Sequence, residues 1–263
     1  MAGMAGTAGV AGVESTEIGD LTLRAWRGGT DEWRGRVLRT AAERLAADGW
    51  AVTPDGTATV VLHGREFALV PGGEARLGFD AAVFEATPEQ ASSYAESCRG
   101  FGFPAELRTH LGAVLSPVRT VRLPTLLVGV EAVDAGEVDF EEHGWRLPTP
   151  DEWEYACGAG APTLFRWGAT HPDTDDPFSA PDGPQHRPNA FGLRIAQDPY
   201  RPEVTADPGV MCGGDGGSAT CGGYGSFLAW LPLATAYRDP ELAELLDDDG
   251  WCDDLLGRPV VAL

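Results

Sequence analysis

Residues 146–156 read RLPTPDEWEYA, and this stretch carries the strongest local structural signal in the chain. Thr149 stands at a helix-capping position, Pro150 follows at the first helical position, and Glu152 comes three residues after the cap. A threonine followed three positions later by a glutamate forms a capping box, in which each side chain accepts a hydrogen bond from the other residue's backbone amide. The stretch therefore predicts a helix that begins at Pro150 and ends near Gly158.

The rest of the chain alternates between helical and strand patterns. Apolar residues at helical spacing predict a helix between Thr30 and Asp48. A second capping box, at Thr87, predicts a helix that ends near Arg99. The other predicted elements are a hairpin of 58–62 with 66–70, a helix over 104–115, one or two strands over 118–130, a short helix over 239–246 and a strand over 258–263. This mixture indicates an α+β fold.

Charge and hydropathy predict a cytoplasmic protein. The 263 residues include 40 acidic and 19 basic ones, the basic residues are all arginine, and the formal net charge is −21. Such a field opposes binding to nucleic acid or to an anionic membrane. No apolar run is long enough to span a bilayer, and residues 1–13 lack the features of a signal peptide.

Glycine and proline predict long loops. The chain holds 35 glycines and 20 prolines, and nine of the prolines fall between residues 158 and 208, where periodicity is scarce. An irregular segment of that length is usually functional or held together by an ion. Residues 212–226 are rich in glycine, which permits close approach of the backbone to a ligand. A phosphate-binding P-loop is excluded because the chain contains no lysine.

Further short stretches carry a family resemblance. They read FALVPGG (67–73), FRWG (165–168), PNAFGL (188–193), GGS (216–218), TAYR (235–238) and GRPVV (257–261). Together with RLPTPDEWEYA, and in this order, they resemble the sulfatase-modifying-factor family, which includes the formylglycine-generating enzymes. The resemblance implies an irregular C-type-lectin-like fold with few regular elements and long Gly/Pro-rich loops. It covers a formylglycine-generating-enzyme-like domain (65–263) and leaves an N-terminal helical extension (18–64) outside the match, while the Ala/Gly repeat predicts a disordered tail (1–17).

The resemblance places a candidate metal site in the glycine-rich loop. Formylglycine-generating enzymes hold copper(I) with two cysteines, five residues apart, that follow a GGS sequence, and soft thiolates suit this ion. Cys221 stands at the first of these positions, and Ser226, whose hydroxyl is a poor copper(I) ligand, stands at the second. Cys212, nine residues before Cys221, is the alternative second ligand. The competing interpretation is that these two thiols are unrelated.

Three more residues complete the candidate site. Tyr224 and Arg238 join Cys221 and Ser226 as candidate catalytic residues, although an arginine in an AYR segment also suits a structural role in bonding loop carbonyls. The family's calcium-binding segment is reduced here to Glu203, which becomes the candidate calcium ligand. Copper(I) and calcium are thus the candidate cofactors.

Two functions are compatible with this pattern. In the first, the protein is a non-catalytic member of the family whose loop 212–227, with Trp230 and Arg238 nearby, binds a small molecule or a protein or peptide partner. In the second, it is a copper(I)-dependent oxidase that acts on a thiol substrate through Cys221 and Cys212. The incomplete cysteine pair favours the first.

Overall fold

The computed structural model describes residues 18–238 and 255–263, which form a mixed α+β fold. The helices are α1 (Leu23–Gly28), α2 (Asp31–Arg44), α3 (Pro88–Phe101), α4 (Leu107–Val114), α5 (Pro150–Gly158), α6 (Ser218–Gly222) and α7 (Ser226–Trp230). The strands are β1 (Gly49–Val52), β2 (Ala58–Leu62), β3 (Arg65–Val70), β4 (Gly73–Leu77), β5 (Arg119–Leu123), β6 (Leu126–Gly129), β7 (Val133–Asp134), β8 (Glu203–Val204), β9 (Met211–Cys212), β10 (Leu256–Gly257) and β11 (Val260–Ala262).

The largest sheet is antiparallel and has the strand order β1-β2-β3-β6-β11. Its central strand β3 is buried on both faces. Alternate side chains of a strand point to opposite faces, so Phe67 and Leu69 join one hydrophobic cluster while Ala68 and Val70 join another. A four-stranded sheet (β7-β10-β8-β9) and the two-stranded antiparallel sheet β4-β5 complete the strand pairing among the described residues.

Residues 18–64 share the sheet and core of the following chain. Helices α1 and α2 cover one face of the large sheet, where Trp26 and Leu38 pack with Phe67. The same region supplies β1 and β2, and β2 pairs directly with β3. The expected boundary between residues 64 and 65 therefore falls inside a hairpin, and the extension contains strands as well as helices.

Helix α5 lies within the second core. Both hydrogen bonds of the predicted capping box between Thr149 and Glu152 are present, so this prediction is confirmed. Every residue from 152 to 158 is buried, and Trp153 is fully enclosed. The Tyr155 hydroxyl donates to the Pro71 carbonyl at 2.8 Å, which ties the helix to the turn between β3 and β4.

Most other predicted elements are also confirmed. The helix after Thr87, with its capping box, the β2-β3 hairpin and the two strands around Pro124 are present. The final strand is divided into β10 and β11, with Arg258 and Pro259 between them. Between residues 159 and 202 the regular structure consists of two short 3-10 helices, as the prolines predict. The helix expected over 239–246 lies outside the described residues.

Candidate functional site

Glycines bring the loop after β9 against a tyrosine from the proline-rich segment. The Asp215 carboxylate accepts hydrogen bonds from the backbone amides of Gly217 and Ala219, both at 2.8 Å, at the start of α6. Gly217 has a φ of +82°, and a Cβ atom at this position would lie 2.3 Å from the Tyr200 ring. Only glycine allows this packing, because a side chain would be strained and would clash.

Tyr200 contacts the exposed thiol of the same loop. Its hydroxyl oxygen lies 3.0 Å from the Sγ atom of Cys221. The hydrogen bond with Cys221 is the main cause that raises the pKa of Tyr200, and the acidic side chain of Asp176 contributes in the same direction. The phenol therefore keeps its proton and can donate it in a hydrogen bond to the sulfur. The ring of Phe178, which is 52% exposed, packs edge-on against Tyr200 at 5.0 Å.

The next residues of the loop turn towards α3. The ring centres of Tyr224 and Phe101 lie 4.7 Å apart. The Tyr224 ring also lies over Gly222, the residue that follows Cys221. The Ser226 hydroxyl donates to the Ser93 hydroxyl at 3.3 Å. Ser226 thus fastens the loop to α3.

Cys212 occupies a different environment from Cys221. It is fully buried, and burial raises the pKa of its thiol to about 12. The charged groups that act on this thiol are Arg238, Glu203 and Glu154, all of which engage in interior ion pairs. The structure places one cysteine in the core and the other at the surface. These residues therefore do not fit a two-thiolate copper(I) site, since Cys212 is enclosed in the core while Cys221 is exposed.

Glu203 is held in a buried ion pair. Its carboxylate accepts two hydrogen bonds from Arg258, at 2.5 and 2.7 Å, and a third from Trp153 Nε1 at 2.7 Å. Both oxygens are thus engaged by N–H donors, which does not fit the calcium ligand expected from the sequence. Within residues 18–238 and 255–263, no group of three or more His, Cys, Asp or Glu side chains is arranged to hold a metal ion.

Arg238 also has structural partners. It donates to the buried carboxylate of Glu154 at 2.6 Å and to the carbonyls of Pro150 and Tyr237. These contacts match the structural role considered for the arginine of the AYR segment. Arg238 therefore does not belong to an open binding surface. Trp230, expected beside that surface, is fully buried instead.

Sequence reasoning missed Tyr200 and Phe178. Both lie in the proline-rich segment, where no periodicity marks individual residues. The signal that pointed towards them is the glycine at 217, because glycine in such a loop permits close approach of another group. It does not identify that group.

The comparisons with known proteins assign no family. No protein-family model matches this sequence. No curated protein matches it significantly. The described helices include none that is both long and apolar enough to cross a bilayer.

Proposed function

We propose that this chain is a divergent, non-catalytic member of the sulfatase-modifying-factor family, with the family's C-type-lectin-like fold, that binds a peptide or small-molecule partner. The similarity of RLPTPDEWEYA and the other ordered stretches to family sequences supports the family assignment. The burial of Cys212 carries the functional conclusion. With Cys212 enclosed in the core and a hydroxyl at Ser226, neither of the two positions that the sequence suggested gives Cys221 a second soft ligand for copper(I).

The binding surface consists of Phe178, Tyr200, Cys221 and Tyr224, and we call it the loop surface. It presents an exposed aromatic ring, a phenol donor and an exposed thiol. Aromatic residues supply large contact areas at binding sites, and tyrosine adds a hydrogen-bonding group. The acidic side chain of Asp176 lies close to Tyr200, so the expected partner is neutral or positively charged.

The metal-free part of the proposal is tested by titrating the reduced protein with copper(I) under anaerobic conditions against a competing chelator. We expect no tight one-to-one binding of copper(I) that depends on both cysteines, as judged from the variants Cys221→Ser and Cys212→Ser. Tight binding that requires both cysteines would instead establish the thiol oxidase, and oxygen consumption with a thiol substrate would then be measured.

The binding part is tested by selection from a displayed random peptide library. We expect peptides that bind the wild type and fail to bind the double variant Phe178→Ala/Tyr200→Ala. The matched control is Trp50→Ala, which removes another exposed aromatic ring from the edge strand β1. Peptides that bind the wild type and both variants equally, or the absence of any enriched peptide, would contradict the loop surface as the recognition site.

A further inference from the structure

A cleft is formed by residues other than those of the loop surface. It opens between the two-stranded β4-β5 sheet and the segment that follows α5, and its volume is about 640 Å³. Small-molecule sites usually measure about 300–1,000 Å³, so the size suits an organic ligand. The apolar residues that line it include Leu77, Phe79, Val83, Phe84, Val118 and Leu164. Phe178, Tyr200, Cys221 and Tyr224 do not line this cleft.

The walls of the cleft leave apolar surface open to solvent. Val83 is 70% exposed and Val118 is 38% exposed, and both line the cleft. Exposed apolar side chains that converge on one concavity are typical of a site that receives an apolar group. The body of the ligand is therefore expected to be apolar.

One buried polar group in the wall has no partner. Thr235 lines the cleft and is nine-tenths buried, and its hydroxyl makes no hydrogen bond to any described residue. This hydroxyl oxygen is also closed to solvent, so it is a cost borne within the wall and not a contact that a ligand in the open cleft reaches. Glu154 also lines the cleft, but its carboxylate is already engaged by Arg119 and Arg238.

The rim of the cleft is acidic. Glu74, Asp80 and Glu85 line it and are exposed, whereas Arg76 is the basic residue among its lining. Within the described part of the chain, none of the three carboxylates takes part in an ion pair. A positively charged ligand would be attracted to this rim, and an anion would be repelled.

We propose that this cleft binds a small organic cation, an amine with an apolar aromatic body. The aromatic body lies against Phe79, Phe84 and the other apolar walls. The ammonium group faces the acidic rim.

Four probes of similar size separate these contributions. Tyramine carries both the ammonium and a hydroxyl, phenethylamine lacks the hydroxyl, tyrosol lacks the charge, and 4-hydroxyphenylacetate carries the opposite charge. Binding is measured by ligand-observed NMR at millimolar probe concentrations. We expect tyramine to bind about 5-fold more tightly than tyrosol and more tightly still than the anion, with the preference reduced by salt.

Variants of the cleft test the location. Ala161→Trp should fill the cleft and abolish tyramine binding, whereas Ala51→Trp on the exposed face of β1 should not change it. Glu74→Gln/Glu85→Gln should reduce the preference for tyramine over tyrosol, whereas Glu43→Gln on α2 should leave it unchanged. Phenethylamine should bind with an affinity similar to that of tyramine, since both carry the ammonium group and the aromatic ring.

Thermal melting of each variant identifies any that fail to fold. The rim variant Glu74→Gln/Glu85→Gln changes exposed side chains, so it still tests the location if Ala161→Trp is unstable. Equal binding of tyramine and 4-hydroxyphenylacetate would overturn the proposal. So would binding that survives Ala161→Trp in a folded protein, or the absence of tyramine binding at millimolar concentration.

Discussion

The ion pair between Glu203 and Arg258 should be a major determinant of stability. The side chains are only 5% and 1% exposed, and Glu203 accepts N–H donors from Arg258 and from Trp153. The substitution Glu203→Gln keeps the shape of the side chain and removes its charge. It also replaces one acceptor oxygen with an NH₂ group, which must face one of these donors.

The size of the effect follows from what remains buried. A charge left without its partner in a protein interior costs about 3–5 kcal/mol, a large part of the total of about 5–15 kcal/mol that stabilises a typical domain. Arg258 also donates to the carbonyls of Gly129, Val130 and Arg194. Arg258→Met removes these bonds as well, so it should destabilise the protein more than Glu203→Gln does.

Urea unfolding followed by tryptophan fluorescence gives the change in free energy. The matched control is Glu131→Gln, which breaks the exposed pair with Arg194, a contact of 3.4 Å whose loss should cost less than about 1 kcal/mol. Adding calcium or a chelator should leave the wild-type transition unchanged. A loss of less than about 1 kcal/mol in the free energy of unfolding of Glu203→Gln would contradict this prediction. It would also be contradicted if calcium stabilised the wild type but not Glu203→Gln.

Three further outcomes follow from the structure. Iodoacetamide should modify Cys221 in the folded protein and Cys212 only after unfolding, as mapped by mass spectrometry, because burial raises the pKa of the Cys212 thiol to about 12. Gly217→Ala should displace the Tyr200 ring and change the alkylation rate of Cys221 several-fold, since the added Cβ would lie 2.3 Å from that ring; an unchanged rate would contradict the contact. Burial raises the pKa of Glu152, but hydrogen bonds from an arginine and from the cap amide outweigh it, so the pKa lies below its usual value. Its stabilising contribution is therefore present at neutral pH and lost in acid, and Glu152→Gln should lower stability at pH 7 while flattening its decline between about pH 5 and pH 3.

Local chemistry accounts for the elements that the sequence predicted well. The capping boxes at Thr87 and Thr149 each involve residues three positions apart, so the sequence contains both partners of each hydrogen bond. The alternation in β3 likewise arises from neighbouring residues. Such elements form wherever the local pattern is strong, and tertiary packing then orients them.

The candidate site depends on contacts between distant residues, which local patterns do not specify. Tyr200 meets Cys221 across 21 positions, and Glu203 meets Arg258 across 55. Burial of Cys212 depends on how β9 pairs with β8, two strands of two residues each that have no periodicity of their own. The sequence therefore identified the loop but gave Cys212 and Glu203 roles that their surroundings do not favour.

Several buried polar contacts involve the stretches that resemble the family. In RLPTPDEWEYA, Glu152 pairs with Arg146, Glu154 pairs with Arg238 of TAYR, and Trp153 shares Glu203 with Arg258 of GRPVV. The contacts of Glu154 and of Glu203 join segments far apart in the chain, and breaking any of these pairs leaves a charge or a donor buried without its partner. The positions of Cys221 and Ser226 differ from these, because Cys221 is exposed and the Ser226 hydroxyl donates to a hydroxyl on α3 and not to a buried charge. The buried pairs of these stretches therefore serve folding, whatever residues stand at 221 and 226.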